Sequence, residues 1–236
     1  MNIKINTLSI VLFGALLSGC TSGESPYGPA SAASSSSNNI VSAKHFVLYF
    51  SELNPNVFET ATSIVSQDVE VTVTVDAADR YDIDVTGGEV HFKTEVGTLD
   101  NLSCVLVDGS CSVIWTSVIE PSDVPADRIN TITAYMTENS EEGFLDFNAN
   151  GIFDDGDGNA LTHDVSDPFL DLTHDGASPA YDPGPGPGTD ILLLPRAFIA
   201  ADGKYSGSGC ARTVAPLCAA TETTPIFDTQ EMDLAY

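Results

Sequence analysis

A chain of 236 residues with a formal net charge of −26 and a pI near 4.1 offers no basic surface to a phosphate backbone, which excludes a general nucleic-acid binder. Cations are the expected partners of such a surface. An apolar content of 42% belongs to a folded body rather than to a disordered polyanion, and the length suits one or two small domains.

The chain begins "MNIKINTLSIVLFGALLSGC", with Lys4, an apolar run from Leu8 to Leu17, and small residues ending at Cys20. The run is much shorter than the roughly 20 residues a membrane-spanning helix needs, so residues 1–19 read as an export signal. The stretch "LLSGC" resembles the lipobox of bacterial lipoproteins. That resemblance implies cleavage before Cys20, lipidation of Cys20 and attachment to a membrane through the lipid. Thr21 is not the Asp that such proteins use for inner-membrane retention, which implies an outer-membrane address in the cell envelope, periplasmic or surface-exposed. Residues 20–39 are rich in Ser, Gly, Pro and Ala and have little to pack, as in a flexible tether.

Residues 40–138 carry strand signals. "HFVLYF" is a short apolar run, and "VEVTVTV" at Val69 to Val75 alternates with period two, the pattern of a half-buried strand. "GEVHFKTEVG", "LSCVLV", "CSVIWTS" and "NTITAYMT" follow, divided by Gly-Gly, Asp-Gly and a Pro-containing loop. Helical periodicity is missing throughout. The expectation is a mainly β fold, an antiparallel sandwich, with Trp115 in its core. Besides Cys20 there are Cys104, Cys111, Cys210 and Cys218, an even set that favours disulfides in an exported chain. Of three connectivities the local one is simplest: Asp108-Gly109 is a hairpin signal that would set Cys104 and Cys111 on adjacent strands, leaving Cys210 with Cys218. Neither pair has the close spacing of a zinc site.

Residues 45–137 resemble bacterial Ig-like domains of the invasin and intimin type. The matching features are Val75-Asp76 at a strand end, Gly88 to Phe92, the turn at Gly97, and Ile132 to Ala134. The stretch "RYDIDVTGG" departs from the Pro-containing approach usual there. The resemblance implies an Ig-like antiparallel β-sandwich.

Residues 139–190 change character. Between Arg128 and Arg196 there is neither Lys nor Arg while Asp recurs, so the segment would self-repel unless something positive neutralises it. "DFNANGIFDDGD" places Asp146, Asn148 and Asn150 at alternate positions, then Gly151, then the carbonyl carrier Ile152, Asp154 and Asp157. Calcium takes six to eight hard oxygens from a tight loop of this design, with a glycine permitting the turn. Phe153 is apolar, as an inward anchor beneath the loop should be. "DLTHDGASPAYD" repeats the idea more loosely with Asp171, Thr173, Asp175 and Asp182, and Pro179 interrupts it. Asp164 and Asp167 lie between the two loops, placed to complete either or bridge them. Both loops resemble those of EF-hands and dockerins, but Gly143 and Pro168 precede them in place of helices. The string of loops is similar to thrombospondin type 3 repeats and to acidic segments that follow Ig-like domains in proteobacterial surface lipoproteins. Calcium is the expected cofactor, standing in for a missing apolar core in this loop-rich segment.

The tetrapeptide "LTHD" at Leu161 and again at Leu172 reads as solvent-facing histidine rather than a transition-metal or catalytic site. No nucleophile elbow, phosphate loop, dinucleotide fingerprint or zincin helix is present, so a non-catalytic role is expected. In residues 191–236, "DILLLPRAFI" is apolar enough to return to the body as a strand, and a disulfide-stapled loop and trailing end follow. The whole suggests a calcium-stabilised Ig-like surface module with a structural or adhesive role and a protein or carbohydrate partner. The alternative is a ligand-binding or enzyme-accessory lipoprotein whose sandwich is a spacer.

Overall fold

The computed structural model describes residues 39–58, 68–117, 124–157, 161–174, 190–211 and 217–235. The expected export signal, Cys20 and the expected tether up to residue 38 lie outside these residues, as do Asp175 and Asp182 of the second loop. The fold is mainly β. Its strands are β1 (Val41–Ser42), β2 (Phe46–Phe50), β3 (Glu70–Ala77), β4 (Glu89–Thr94), β5 (Thr98–Leu99), β6 (Ser103–Val105), β7 (Ser110–Thr116) and β8 (Ile129–Met136), then β9 (Ser140–Glu141), β10 (Gly143–Phe144), β11 (Leu161–His163), β12 (Phe169–Leu170), β13 (Ile191–Leu192) and β14 (Ile226–Asp233).

Two antiparallel four-stranded sheets carry the body, one ordered β2-β3-β7-β5 and the other β14-β8-β4-β6. Period-two patterning explains their packing. Val71, Val73 and Val75 of β3 face inward with Val113 and Trp115 of β7, and meet Val90, Phe92, Ile132, Ala134 and Met136 of the facing sheet in one buried cluster. Trp115 is fully buried and its indole N–H donates to the Val96 carbonyl at 2.8 Å, so its polar edge is satisfied within the core.

Both disulfides are formed, Cys104–Cys111 and Cys210–Cys218. The first differs from the expected cross-strand staple of one hairpin. Asp108 (φ 50°) and Gly109 (φ 79°) make the tight turn their sequence implies, yet β6 and β7 belong to different sheets, so the bond ties the two sheets together where the chain crosses.

The far end of the chain is not a trailing end. Ile226–Asp233 forms β14 and pairs with β8 over eight positions from Ile226↔Met136 to Asp233↔Ile129. It buries Ile226 and Met232 in the common core, and the Asp228 carboxylate accepts the Leu48 N–H of β2 at 2.9 Å, linking the edges of the two sheets. By contrast the apolar "DILLLPRAFI" supplies only the two-residue β13, paired to β12, and Ile191, Leu192 and Ile199 are exposed.

The acidic segment wraps around the sandwich. Its β9 pairs in parallel with β1, and the Thr133 hydroxyl on the outer face of β8 donates to the Phe169 carbonyl at 3.1 Å, which covers Thr133. The segment also has an apolar nucleus, contrary to the expectation that it would lack one. Phe144, Phe153 and Tyr205 are buried against one another, with ring centroids 5.1 to 5.3 Å apart. The bridges Phe153↔Cys210 and Tyr205↔Cys218 lash the second disulfide to this nucleus.

Candidate metal centre

The first acidic loop is wound by Asx turns. The Asp146 carboxylate accepts the N–H groups of Asn150 (3.2 Å) and Gly151 (2.7 Å), Asn148 accepts that of Asn150 (3.1 Å), and Asn150 accepts that of Ile152 (2.7 Å). Ala149 (φ 56°) and Gly151 (φ 71°) turn the chain back on itself. A side chain at Gly151 would also strike the ring of Tyr81, since a Cβ there would lie 2.2 Å from it.

The oxygens brought round by these turns meet Asp154. The amides of Asn148 and Asn150 donate to its two carboxylate oxygens at 3.0 and 2.8 Å. Asp157, fully buried, closes the ring by accepting the N–H groups of Phe147 and Asp154, both at 2.9 Å. Five of the six predicted ligand residues thus share one network, and Ile152 contributes its N–H to it while its side chain is partly exposed. In this arrangement the carboxylates are satisfied by amide donors of their own loop. Among the described residues no group of three or more His, Cys, Asp or Glu stands ready to hold a metal ion. The donor set itself fits a hard cation: it is all oxygen on the acceptor side, with three carboxylates and two amides, and Asp154 is the group such an ion would take over.

Of the second loop, Asp171 and Thr173 lie among the described residues. Asp171 accepts the Thr173 N–H (3.0 Å), its hydroxyl (3.2 Å) and the His174 N–H (2.7 Å). His174, expected to face solvent, is instead held between two sandwich carboxylates: Nδ1 is 2.8 Å from Asp127 and Nε2 is 3.6 Å from Glu95. The carboxylates lie on opposite ring nitrogens, so the arrangement is a bridge and not a chelate. Burial pushes the Glu95 carboxyl above its usual range, opposed by the Thr131 N–H and by His174. His163 is half-buried, and burial with nearby Lys44 holds its imidazole below the ordinary value.

The positive charge that the acidic segment needs comes from outside it. Arg80, on the loop after β3, donates through Nε to Glu141 Oε1 at 2.8 Å and through Nη2 to Glu141 Oε2, and reaches the Ser208 hydroxyl at 2.6 Å. Its Nη1 also donates to the Gly151 carbonyl at 2.6 Å, so one guanidinium joins the sandwich, the candidate loop and the stapled region. Glu141 is fully buried. Arg196 does the same for Asp167, with Nε 3.1 Å from Oδ2. Asp164 accepts the N–H groups of Asp202 (3.2 Å) and Gly203 (2.7 Å), and Asp167 that of Ile199 (3.1 Å), so both intervening carboxylates are engaged with the stretch that follows the acidic segment. Sequence reasoning missed Arg80 and Glu141 because nothing local marks a pair 61 positions apart.

Glu142, next to this pair, is 3% exposed and accepts the Ser206 N–H at 2.6 Å and the Val165 N–H at 3.3 Å. Burial, with Asp164 and Asp202 nearby, pushes its carboxyl up to about 7 against those hydrogen bonds. Between the ordinary carboxyl value and about 7 the folded chain holds a proton that the unfolded chain has lost, so this group's stabilisation is complete at acid pH and declines as pH rises through that window. The amplitude is on the order of 3 kcal/mol at most. Urea unfolding across that range should show the decline in the wild type and a flatter profile in Glu142→Gln; parallel profiles would exclude the assignment.

Compared with protein-family models, curated proteins and solved structures, the chain finds no match in any of the three.

Proposed function

We propose that this chain is a non-catalytic display module of the cell envelope: an Ig-like β-sandwich, carried on a lipid at Cys20 and a flexible tether, whose acidic segment is stiffened by calcium for a structural or adhesive role. The observation that carries the reading is the convergence of alternate oxygens, Asp146, Asn148 and Asn150, with Asp154 and Asp157 in one loop over the fully buried Phe153. The calcium-loop spacing legible in the sequence is therefore accompanied by a backbone turned to bring those residues together. An ion bound there would replace amide contacts to Asp154 with cation contacts and would hold the loop against Tyr81 and Arg80. Ordering a loop costs roughly 1–2 kcal/mol of backbone entropy per residue, and an ion that binds only the folded form offsets part of that cost.

Thermal melting with millimolar calcium and with chelator tests the reading. At a free concentration about 100 times the Kd the gain is about 2.7 kcal/mol. For a chain of this size that raises the midpoint by about 5–10 °C. The rise should vanish in Asp154→Ala. An unchanged wild-type midpoint, together with native mass spectra free of bound ion, would remove calcium from the account.

A further inference from the structure

A groove of about 1220 Å³ runs beside β14. Five consecutive residues of that strand, Phe227 to Glu231, line it. Strand side chains alternate between faces, so a cavity bounded by five in a row follows the strand's hydrogen-bonding edge and not one face. β14 is an end strand, paired with β8 on one side only. On the other side the Asp228 carboxylate takes the Thr229 N–H and, across to the edge of β2, the Leu48 N–H, while the Leu53 carbonyl takes the Asp233 N–H, each at 2.9 Å. The two-residue period sets the Glu231 N–H between them, on the side away from β8, and Glu231 lines the groove.

The opposite wall comes from Asp164, Val165, Ser166, Phe169, Asp171, Ala200 and Ala201. Asp164, Asp171, Asp228, Glu231 and Asp233 all line the groove, and Lys, Arg and His do not occur among its described lining. The contacts to Asp164 and Asp228 come from neutral backbone N–H groups, which leave their charge in place. Phe227 and Phe169, with centroids 5.5 Å apart, add an apolar stretch.

We propose that this groove receives an extended segment of a partner protein bearing alternate lysine or arginine residues, which adds to β14 as a further strand. Main-chain pairing at Glu231 would give the register, and the basic side chains would reach the carboxylates on both walls. The inference names the partner chemistry that the adhesive reading leaves open, and it does not depend on calcium.

The test is fluorescence anisotropy with the purified protein and a short labelled peptide alternating lysine and valine. The controls are the same peptide with glutamate for lysine and one with proline for alternate valines, which keeps the charge but cannot pair as a strand. The lysine-valine peptide should bind at least about tenfold more tightly than the proline form, and added salt should weaken it. Glu231→Lys should weaken binding by at least about tenfold, and Glu231→Pro, which removes an edge N–H outside the β8 ladder, should abolish the preference over the proline peptide. Melting curves establish that each variant is folded; should the proline variant not fold, Glu231→Lys and the peptide contrast decide. Equal binding of the proline peptide would show bulk attraction to an acidic protein and overturn the proposal. So would absence of lysine-valine binding, including the case where a neutral oligosaccharide binds in the groove instead. Repeating the titration with calcium and with chelator separates the two readings, because loss of the calcium effect leaves the peptide preference standing.

Discussion

Replacing Arg80 with methionine should cost about 3–5 kcal/mol of unfolding free energy, the penalty for a buried carboxylate left without its counter-charge. Glu141 is fully buried and the Arg80 side chain is 8% exposed, so solvent can do little to rescue either group alone. The same guanidinium serves Ser208 and the Gly151 carbonyl, so its loss reaches all three regions at once. The companion variant Glu141→Leu should cost a similar amount. The pair together should cost less than the sum of the two, since two apolar side chains of comparable size leave no orphaned charge. Urea unfolding of the four proteins measures the coupling. If Arg80→Met loses under about 1 kcal/mol, the ion pair is not what fastens the acidic segment to the sandwich.

Phe153→Ala should destabilise by a comparable amount, about 3–5 kcal/mol, through a cavity between Phe144 and Tyr205. The side chain is fully buried and its backbone is tied on both sides, the N–H to the Gly209 carbonyl at 3.1 Å and the carbonyl to the Ala211 N–H at 3.0 Å. Phe153 lies directly before Asp154, so under the calcium proposal loosening it should also raise the calcium concentration needed to stabilise the loop. Unfolding curves with and without calcium read both effects. A full calcium response in a destabilised Phe153→Ala protein would show that the loop is ordered without its apolar footing. Leu161, which packs against the same cluster with partial exposure, should tolerate the same truncation better.

Much of the sandwich was legible because period-two alternation is a local property. Val71, Val73 and Val75 announce a buried face, Asp108-Gly109 announces a turn with two positive φ angles, and Trp115 beside a cysteine reads as core. β14 was not legible. "IFDTQEMD" places only Ile226 and Met232 in the core, and an end strand with a polar groove beside it needs no alternation on that side. Its partner β8 is some ninety positions away, as Ile226↔Met136 shows. The first acidic loop was legible because its oxygen carriers follow one another along the chain. The nucleus beneath it was not, since Phe144, Phe153 and Tyr205 are single aromatic residues among acids and meet only after the chain has gone round. The histidines were misjudged for a related reason: His174 finds Asp127 and Glu95 on loops contributed by the sandwich, which no local pattern reveals.

The place of β14 in its sheet has a kinetic corollary. An end strand recruited from the last stretch of the chain means that β8 cannot complete its ladder until the whole acidic excursion has been synthesised and threaded back, a loop closure that is entropically unfavourable. Until Ile226–Asp233 has been made, β8 has β4 as its one sheet neighbour, so the sandwich cannot close before the acidic segment is complete.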